Sequence, residues 1–466
     1  MEKVRQVKIP RIMFAAAASG SGKTTVTCAV LQALKNRGIK PAAFKCGPDF
    51  IDPMFHSEII GAHARNLDLF MLPEEVCKYL LAVNSAQADI AVLEGVMGYY
   101  DGLGAASAEA SSYHLAVVTE TPVVLVVDCS GASLSLAALV NGFARFRPDS
   151  GIEGIILNNL SNSLYQEYKQ MLEAKTGLSV VGFLPPLPEC FLESRHLGLV
   201  TAAEVEDLKQ KMALLAQQAE RTIDLDMLFK IADKAPQLAY QEININKGTP
   251  VTIGVAKDRV FCFYYQDSLE LLEKMGAVIH FFSPLHDKTL PVCDGLLLGG
   301  GYPELYAEKL AENIFMLKSL KEALAAGIPC LAECGGYMYL LESLVDKEGR
   351  EYKMTGFLPG QARVTSHLNR FGYITLTALK DNVLCPAGET IKAHEFHYSD
   401  STDNGNGFLA VKPIGGRSWN CIHTQGNLVA GYPHFHFWSN INFAYSFLER
   451  CRAYRKAMQE TGRCNL

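Results

Sequence analysis

Between Ile9 and about Pro185, short runs that are apolar at nearly every position alternate with longer segments of helical periodicity; the runs fall at residues 12–16, 42–45, 90–94, 123–128, 155–158 and 180–184. Continuous rather than alternating hydrophobicity predicts strands covered on both faces. Segments such as 24–35, closed by Gly38, and 134–145 supply crossover helices, so a doubly wound parallel sheet is expected. A charged helical stretch follows Thr201, and then Pro236, Asn244, Asn246, Gly248 and Pro250 interrupt any regular pattern. A second alternation begins with strands at 251–256, 278–282, 295–298 and 330–333 and helices at about 264–274 and 307–325. Two doubly wound α/β domains are therefore expected, at 1–235 and 251–449, with a linker at 236–250 and a tail at 450–466. From Thr365 to about Gly431, short β runs separated by Gly, Asn and Asp predict antiparallel additions to the second domain.

Composition narrows the class without changing that picture. A chain of 466 residues has room for two active sites, and 49% hydrophobic with 20% charged residues is ordinary for a globular protein. The net charge of -6 points to neither nucleic acid nor a membrane surface. Thirteen cysteines lie singly, without a C-x-x-C pair, which favours reduced thiols over a zinc site or a disulfide framework. Lys3, Arg5 and Lys8 ahead of the apolar segment 12–17 imitate a short signal peptide, but cleavage there would destroy the loop that follows. No apolar run is long enough for a membrane span, so a soluble cytoplasmic protein is expected.

The first candidate chemistry follows the first strand, where Ala17-Ala18-Ser19-Gly20-Ser21-Gly22-Lys23-Thr24-Thr25 is close to the phosphate-loop motif. Backbone amides there can wrap phosphate oxygens, with Lys23 neutralising charge and Thr24 holding magnesium. The motif's first glycine is Ala17, so the turn must be made without a left-handed residue at that position. Two further strands end in acid-bearing loops, Phe44-Lys45-Cys46-Gly47-Pro48-Asp49-Phe50-Ile51-Asp52-Pro53 and Val92-Leu93-Glu94-Gly95-Val96-Met97-Gly98-Tyr99-Tyr100-Asp101-Gly102. Open α/β sheets build their sites at such strand ends.

These segments resemble the dethiobiotin synthetase-like branch of phosphate-loop ATPases, and more closely the cobyrinic acid a,c-diamide synthase family, where F-K-x-G-P-D-x-I-D-P and E-G-x-M-G-x-x-D-G both occur. The resemblance implies ATP binding by Gly20, Ser21, Gly22, Lys23, Thr24 and Thr25, and Mg²⁺ held by Thr24, Asp49 and Glu94. It gives Lys45 the charge of a phosphoryl or carboxylate group and makes Asp52 and Asp101 substrate-positioning candidates. Asn158 is similar in place to the family's adenine-reading asparagine, with Asn159 as the alternative. The segment from Glu193 to Leu199 is similar to the family's E-R-H-L-G-L run; Arg195 and His196 are open between a polycarboxylate contact and local structure.

In the second half, Leu331-Ala332-Glu333-Cys334-Gly335-Gly336 puts a cysteine between an apolar strand and a helix, a sharp turn at which a nucleophile is exposed and a thiolate can form. Gly300 and Gly301, after another strand, offer backbone N–H groups to an oxyanion. A base is sought in Gly431-Tyr432-Pro433-His434-Phe435-His436. The order G-G-G-x-P-E, A-E-C-G-G, Y-x-H-x-H-F resembles class I, triad-type glutamine amidotransferase domains, which makes Cys334 the nucleophile and His434 its base, with His436 second. Two residues beyond His434, where many relatives have Glu, stands His436, so a Cys-His dyad is expected. His394-Glu395-Phe396-His397-Tyr398-Ser399 also resembles a family run; its strand-like alternation puts His394 and His397 on opposite faces, which argues against a metal site.

The resemblance spans nearly the whole chain. It implies a dethiobiotin synthetase-like P-loop domain and an amidotransferase domain that together amidate two acetate carboxylates of a tetrapyrrole polycarboxylate, using ATP, glutamine and Mg²⁺. An internal passage for ammonia is expected between them. Cobyrinic acid is the first expectation, with Ni-sirohydrochlorin and hydrogenobyrinic acid as rivals; a phosphate-loop switch ATPase without glutaminase activity is the alternative of another class. Oligomeric state is open between monomer and homodimer.

Overall fold

A computed structural model of the chain describes residues 4–190, 194–195, 198–199 and 208–460. Glu193, His196 and Leu197 of the run singled out above lie outside the described residues. The chain divides into two compact units, Met1–Ile243 and Asn244–Leu466.

The first unit is built on seven parallel strands, β1 (Arg11–Ala16), β2 (Pro41–Cys46), β3 (His63–Leu67), β4 (Ile90–Glu94), β5 (Val123–Asp128), β6 (Ile152–Asn158) and β7 (Ser179–Leu184). Their order in the sheet is β3-β2-β4-β1-β5-β6-β7. The strand order reverses beside β1, which places the phosphate loop where doubly wound sheets bind ligands. Residues of β1, β2 and β4 are buried throughout, in keeping with their mostly apolar character, and the charged exceptions Arg11, Lys45 and Glu94 are buried with them. The edge strand β3 escaped the hydrophobic pattern because Arg65 and Asn66 interrupt it. Asn66 is put to local use, donating from Nδ2 to the carbonyls of Gly47 (2.9 Å) and Asp49 (2.7 Å) and so bracing the loop after β2.

The expected linker at 236–250 is divided between the units. Leu238–Gln241 pairs antiparallel with Val4–Val7, and the buried guanidinium of Arg11 donates to the carbonyls of Thr119, Ile9 and Pro236, fixing the chain to the first sheet. In the second unit, Gly248 N donates to Met275 O and Arg452 Nε to Thr249 O.

The second unit contains β8 (Val251–Ala256), β9 (Ala277–Phe282), β10 (Gly295–Leu298), β11 (Cys330–Glu333), β12 (Arg370–Ala378), β13 (Thr390–His397), β14 (Phe408–Val411), β15 (Ser418–Cys421), β16 (His423–Gln425), β17 (Leu428–Gly431) and β18 (His434–Phe435). One sheet runs β9-β8-β10-β11-β17-β16, parallel except for β16. The antiparallel addition is a separate sheet, β15-β14-β12-β13-β18. Helical pattern over 307–325 is broken at Asn313, whose side chain caps the second piece by accepting from Met316 N. The last helix, Ile441–Glu460, runs past residue 449 and buries Cys451 completely, so 450–460 are packed helix rather than tail. Among the described residues no helix is long and apolar enough to cross a membrane.

Candidate active sites

The phosphate loop leaves β1 at Ala16 and enters the helix Lys23–Asn36. Gly20 and Gly22 make its reversal, with φ of 79° and 90°, so Ala17 has no need of a positive φ. Gly22 is also required by contact, since a Cβ there would stand 2.1 Å from Asn158 Nδ2, which donates to Ser21 O at 3.2 Å. Lys23 Nζ donates to the carbonyls of Ala18 (3.0 Å) and Met97 (2.6 Å), curled along the loop. Burial, then the like charge of Lys45, lower its pKa to about 8. Thr25 is half-buried in the first helical turn.

Strand register assembles the acids beside this loop. Lys45 and Glu94 stand directly opposite each other on β2 and β4. Lys45 Nζ donates to Glu94 Oε1 at 2.7 Å and to Asp52 Oδ2, and Thr24 Oγ1 reaches the same two carboxylates at 2.6 and 3.4 Å. Burial pushes Asp52 up, helped by the charge of Glu94. Burial also works to raise Glu94, but Lys45 and His56 outweigh it and hold this carboxyl well below its usual range. His56, in the irregular turn Phe55–Ile59, brings Nε2 to 3.2 Å from Glu94 Oε2 and was not singled out from sequence. Asp49 and Asp101 are differently engaged. Asp49 Oδ1 accepts from Ile51 N at 2.8 Å, and Asp101 Oδ2 from Gly98 N at 2.9 Å, each closing its own loop.

In the second unit Cys334 is the pivot between β11 and the helix Gly335–Leu340, with φ 48° and ψ −103°. Such a conformation costs a residue with a Cβ about 1–3 kcal/mol and is found where geometry at a site demands it. Its N–H is tied to Gly431 O at 2.7 Å. The neighbouring glycines permit close approach. A Cβ on Gly300 would lie 2.5 Å from His434 Cε1, and one on Gly335 would lie 3.2 Å from Gly301 N. Cys334, Gly300, Gly301 and His434 are thus gathered at one place.

The surroundings modify the expected Cys-His pair. Burial, and after it the charges of Glu304, Glu333 and Glu395, push the Cys334 thiol above its usual value, which works against a thiolate there. Nor does His434 lack an acid: Glu333 Oε2 lies 3.6 Å from His434 Nδ1, while Glu333 Oε1 accepts from Phe435 N at 3.0 Å. The acid comes from the residue before the cysteine instead of from the second residue after the histidine. His436 takes a packing role, stacked on Tyr265 with ring centroids 4.6 Å apart and driven by burial to a pKa of about 3.

Two family models match this chain, a CobQ/CobB/MinD/ParA nucleotide binding domain over residues 12–199 and a CobB/CobQ-like glutamine amidotransferase domain over 252–441. A cobyrinate a,c-diamide synthase of Caldanaerobacter subterraneus subsp. tengcongensis is 40% identical over 95% of this chain and 98% of its own. Enzymes of the same name from Clostridium tetani (40% identical, 94% and 99% covered) and Salmonella typhimurium (41%, 91% and 94%) are equally similar. The chain belongs to the cobyrinate a,c-diamide synthase family. It joins a nucleotide-binding domain to a glutamine amidotransferase domain, the pairing of a glutamine-hydrolysing carbon–nitrogen ligase. For a member of that family, sequence reasoning left out His56, Asn66 and Glu333. The signals were present in the F-H, R-N and E-C dipeptides, but nothing in their spacing shows that folding brings them to Glu94, Asp49 and His434.

Proposed function

We propose that this chain amidates the a and c acetate carboxylates of cobyrinic acid, taking nitrogen from glutamine and driving force from ATP. Support comes from one observation above all: a Lys45–Glu94–Asp52 cluster touching the phosphate-loop Thr24 shares a chain with a strained Cys334 beside His434. A carboxylate is a poor acyl donor until an oxygen is phosphorylated, and the first cluster supplies charge for that step.

In the first unit the loop from Gly20 to Thr25 cradles the ATP phosphates, Lys23 turns from its carbonyls to the phosphoryl oxygens, and Asn158 faces the base. Thr24, Glu94 and Asp52 offer hard oxygen donors fit for Mg²⁺, and among the described residues Asp52 Oδ1 is buried without a hydrogen-bond partner. Asp52 thereby takes the place first given to Asp49, which holds its own turn. A bound Mg²⁺ supplies neutralisation of phosphate charge. Lys45 steadies the substrate carboxylate as its oxygen attacks the γ-phosphorus, giving an acyl phosphate and ADP, and Asp101 shapes the substrate-facing loop.

In the second unit His434, oriented by Glu333, accepts the Cys334 proton as the sulfur attacks the glutamine amide carbon, while Gly300 and Gly301 N–H groups face the oxyanion. The proton passes to the departing nitrogen, ammonia leaves, and water cleaves the thioester to glutamate and free thiol. Ammonia displaces phosphate from the acyl phosphate, completing the amide. The protein works in the cytoplasm as a soluble enzyme.

Cys334→Ala should abolish amidation from glutamine while amidation from ammonium salts survives. Lys23→Ala and Glu94→Gln should abolish both, yet leave Cys334 able to hydrolyse glutamine. Full amidation by either of the last two would refute the nucleotide assignment.

A further inference from the structure

His56 is not used by the chemistry above, yet its imidazole is completely buried beside that chemistry. It follows Asp52 by four residues in the consecutive turns Ile51–Met54 and Phe55–Ile59, so the two side chains lie on one face. The second turn is π-helical, with Ile60 N donating to Phe55 O at 3.2 Å, a wide turn of the kind that recurs at functional sites. Its end is tied back to the phosphate-loop helix, because Lys35 Nζ donates to the carbonyls of Ile60 and Gly61. Ala62 N closes on His56 O at 2.8 Å. The imidazole is thereby held against Glu94, with Nε2 3.2 Å from Oε2.

The two oxygens of Glu94 have different neighbours. Oε1 accepts from Thr24 at 2.6 Å and from Lys45 at 2.7 Å, whereas Oε2 is buried with no partner among the described residues apart from this imidazole. Neither ring nitrogen of His56 has another partner among the described residues. Buried polar groups left unpaired are costly. The separation is that of a hydrogen bond, and lining the ring N–H up with Oε2 satisfies both groups at once. Carboxylates that hold a metal are themselves held from behind, which fixes the oxygen that faces the ion. We propose that His56 is a positioning residue for the first unit's reaction: it holds Glu94 by Oε2, so that Oε1 stays turned to Thr24 and to the Mg²⁺ that accompanies ATP. This rests on the reading of Glu94 as a Mg²⁺ ligand.

The test measures ATP binding by calorimetry with excess Mg²⁺ and with EDTA, and takes the ratio of the two affinities as the gain from the metal. In His56→Phe the gain should fall about tenfold, the scale on which a metal site loses affinity with its outer support, while binding in EDTA stays within about twofold of the parent. His56→Gln, whose amide nitrogen reaches the place of Nε2, should recover most of the gain; His56→Asn, with its shorter side chain, should not. A gain within about twofold of the parent's in both His56→Phe and His56→Asn would overturn the proposal. So would affinities that fall alike with and without Mg²⁺, as for a ring that merely shapes the loop. Should His56→Phe fail to fold, the Gln and Asn variants decide, and equal gains in the two would overturn the proposal, as would failure of all three to fold. Glu94→Gln that keeps the parent's gain would instead remove Glu94 as a Mg²⁺ ligand, which separates the two failures.

Discussion

Cys334 carries two costs at once, a positive φ and a thiol raised by burial, and both make sense only if His434 takes its proton when substrate arrives. Because the shift is upward, the thiolate fraction at neutral pH is small and grows about tenfold per pH unit. Alkylation of Cys334 by iodoacetamide, followed on its own peptide by mass spectrometry, should climb at that slope from pH 7 to 9. A plateau below pH 8 would reveal a preformed thiolate. Lys45 presents the opposite case, a buried cation held by two carboxylates that raise its pKa. Lys45→Met strands Glu94 and Asp52 and should cost the first unit about 3–5 kcal/mol, read from the denaturant midpoint. His436 adds a dependence on acid. Its folded pKa of about 3 lies below the usual 6.5, so unfolding takes up a proton as pH falls through that window and stability drops. The contribution is about 1.4 kcal/mol per pH unit between pH 6 and 4, and His436→Gln should flatten the slope by that amount.

At the scale of elements, strands buried on both faces were legible because an unbroken apolar run of four to six residues is stable only where both faces of a sheet are covered, and β8, β10 and β11 fall where the pattern put them. The edge strand β3 was not, since an edge tolerates polar residues and here uses Asn66 to brace a loop. A single helix over 307–325 was expected because periodicity continues across Asn313, and only the cap at that residue shows the break. The motif cysteine, histidine and lysine were readable, but the partners of Glu94 and His434 come from folding of loops that carry no periodic signal. Gly22→Ala tests how tightly one such loop is fitted. Positive φ and the close approach of Asn158 both oppose a Cβ, so ATP affinity should fall at least tenfold by calorimetry, and an unchanged Kd would show the loop to be adaptable.

For the molecule as a whole, two chemistries in one chain make sense if ammonia from the second unit is consumed by acyl phosphate made in the first. The most direct measurement supplies cobyrinic acid, ATP, Mg²⁺ and glutamine labelled with ¹⁵N in the side-chain amide, and follows the macrocycle by mass spectrometry. The expected product carries two new amides, both labelled. Failure to amidate cobyrinic acid, with two labelled amides appearing on Ni-sirohydrochlorin under the same conditions, would contradict the proposed substrate, and unlabelled amides would contradict glutamine as the nitrogen source.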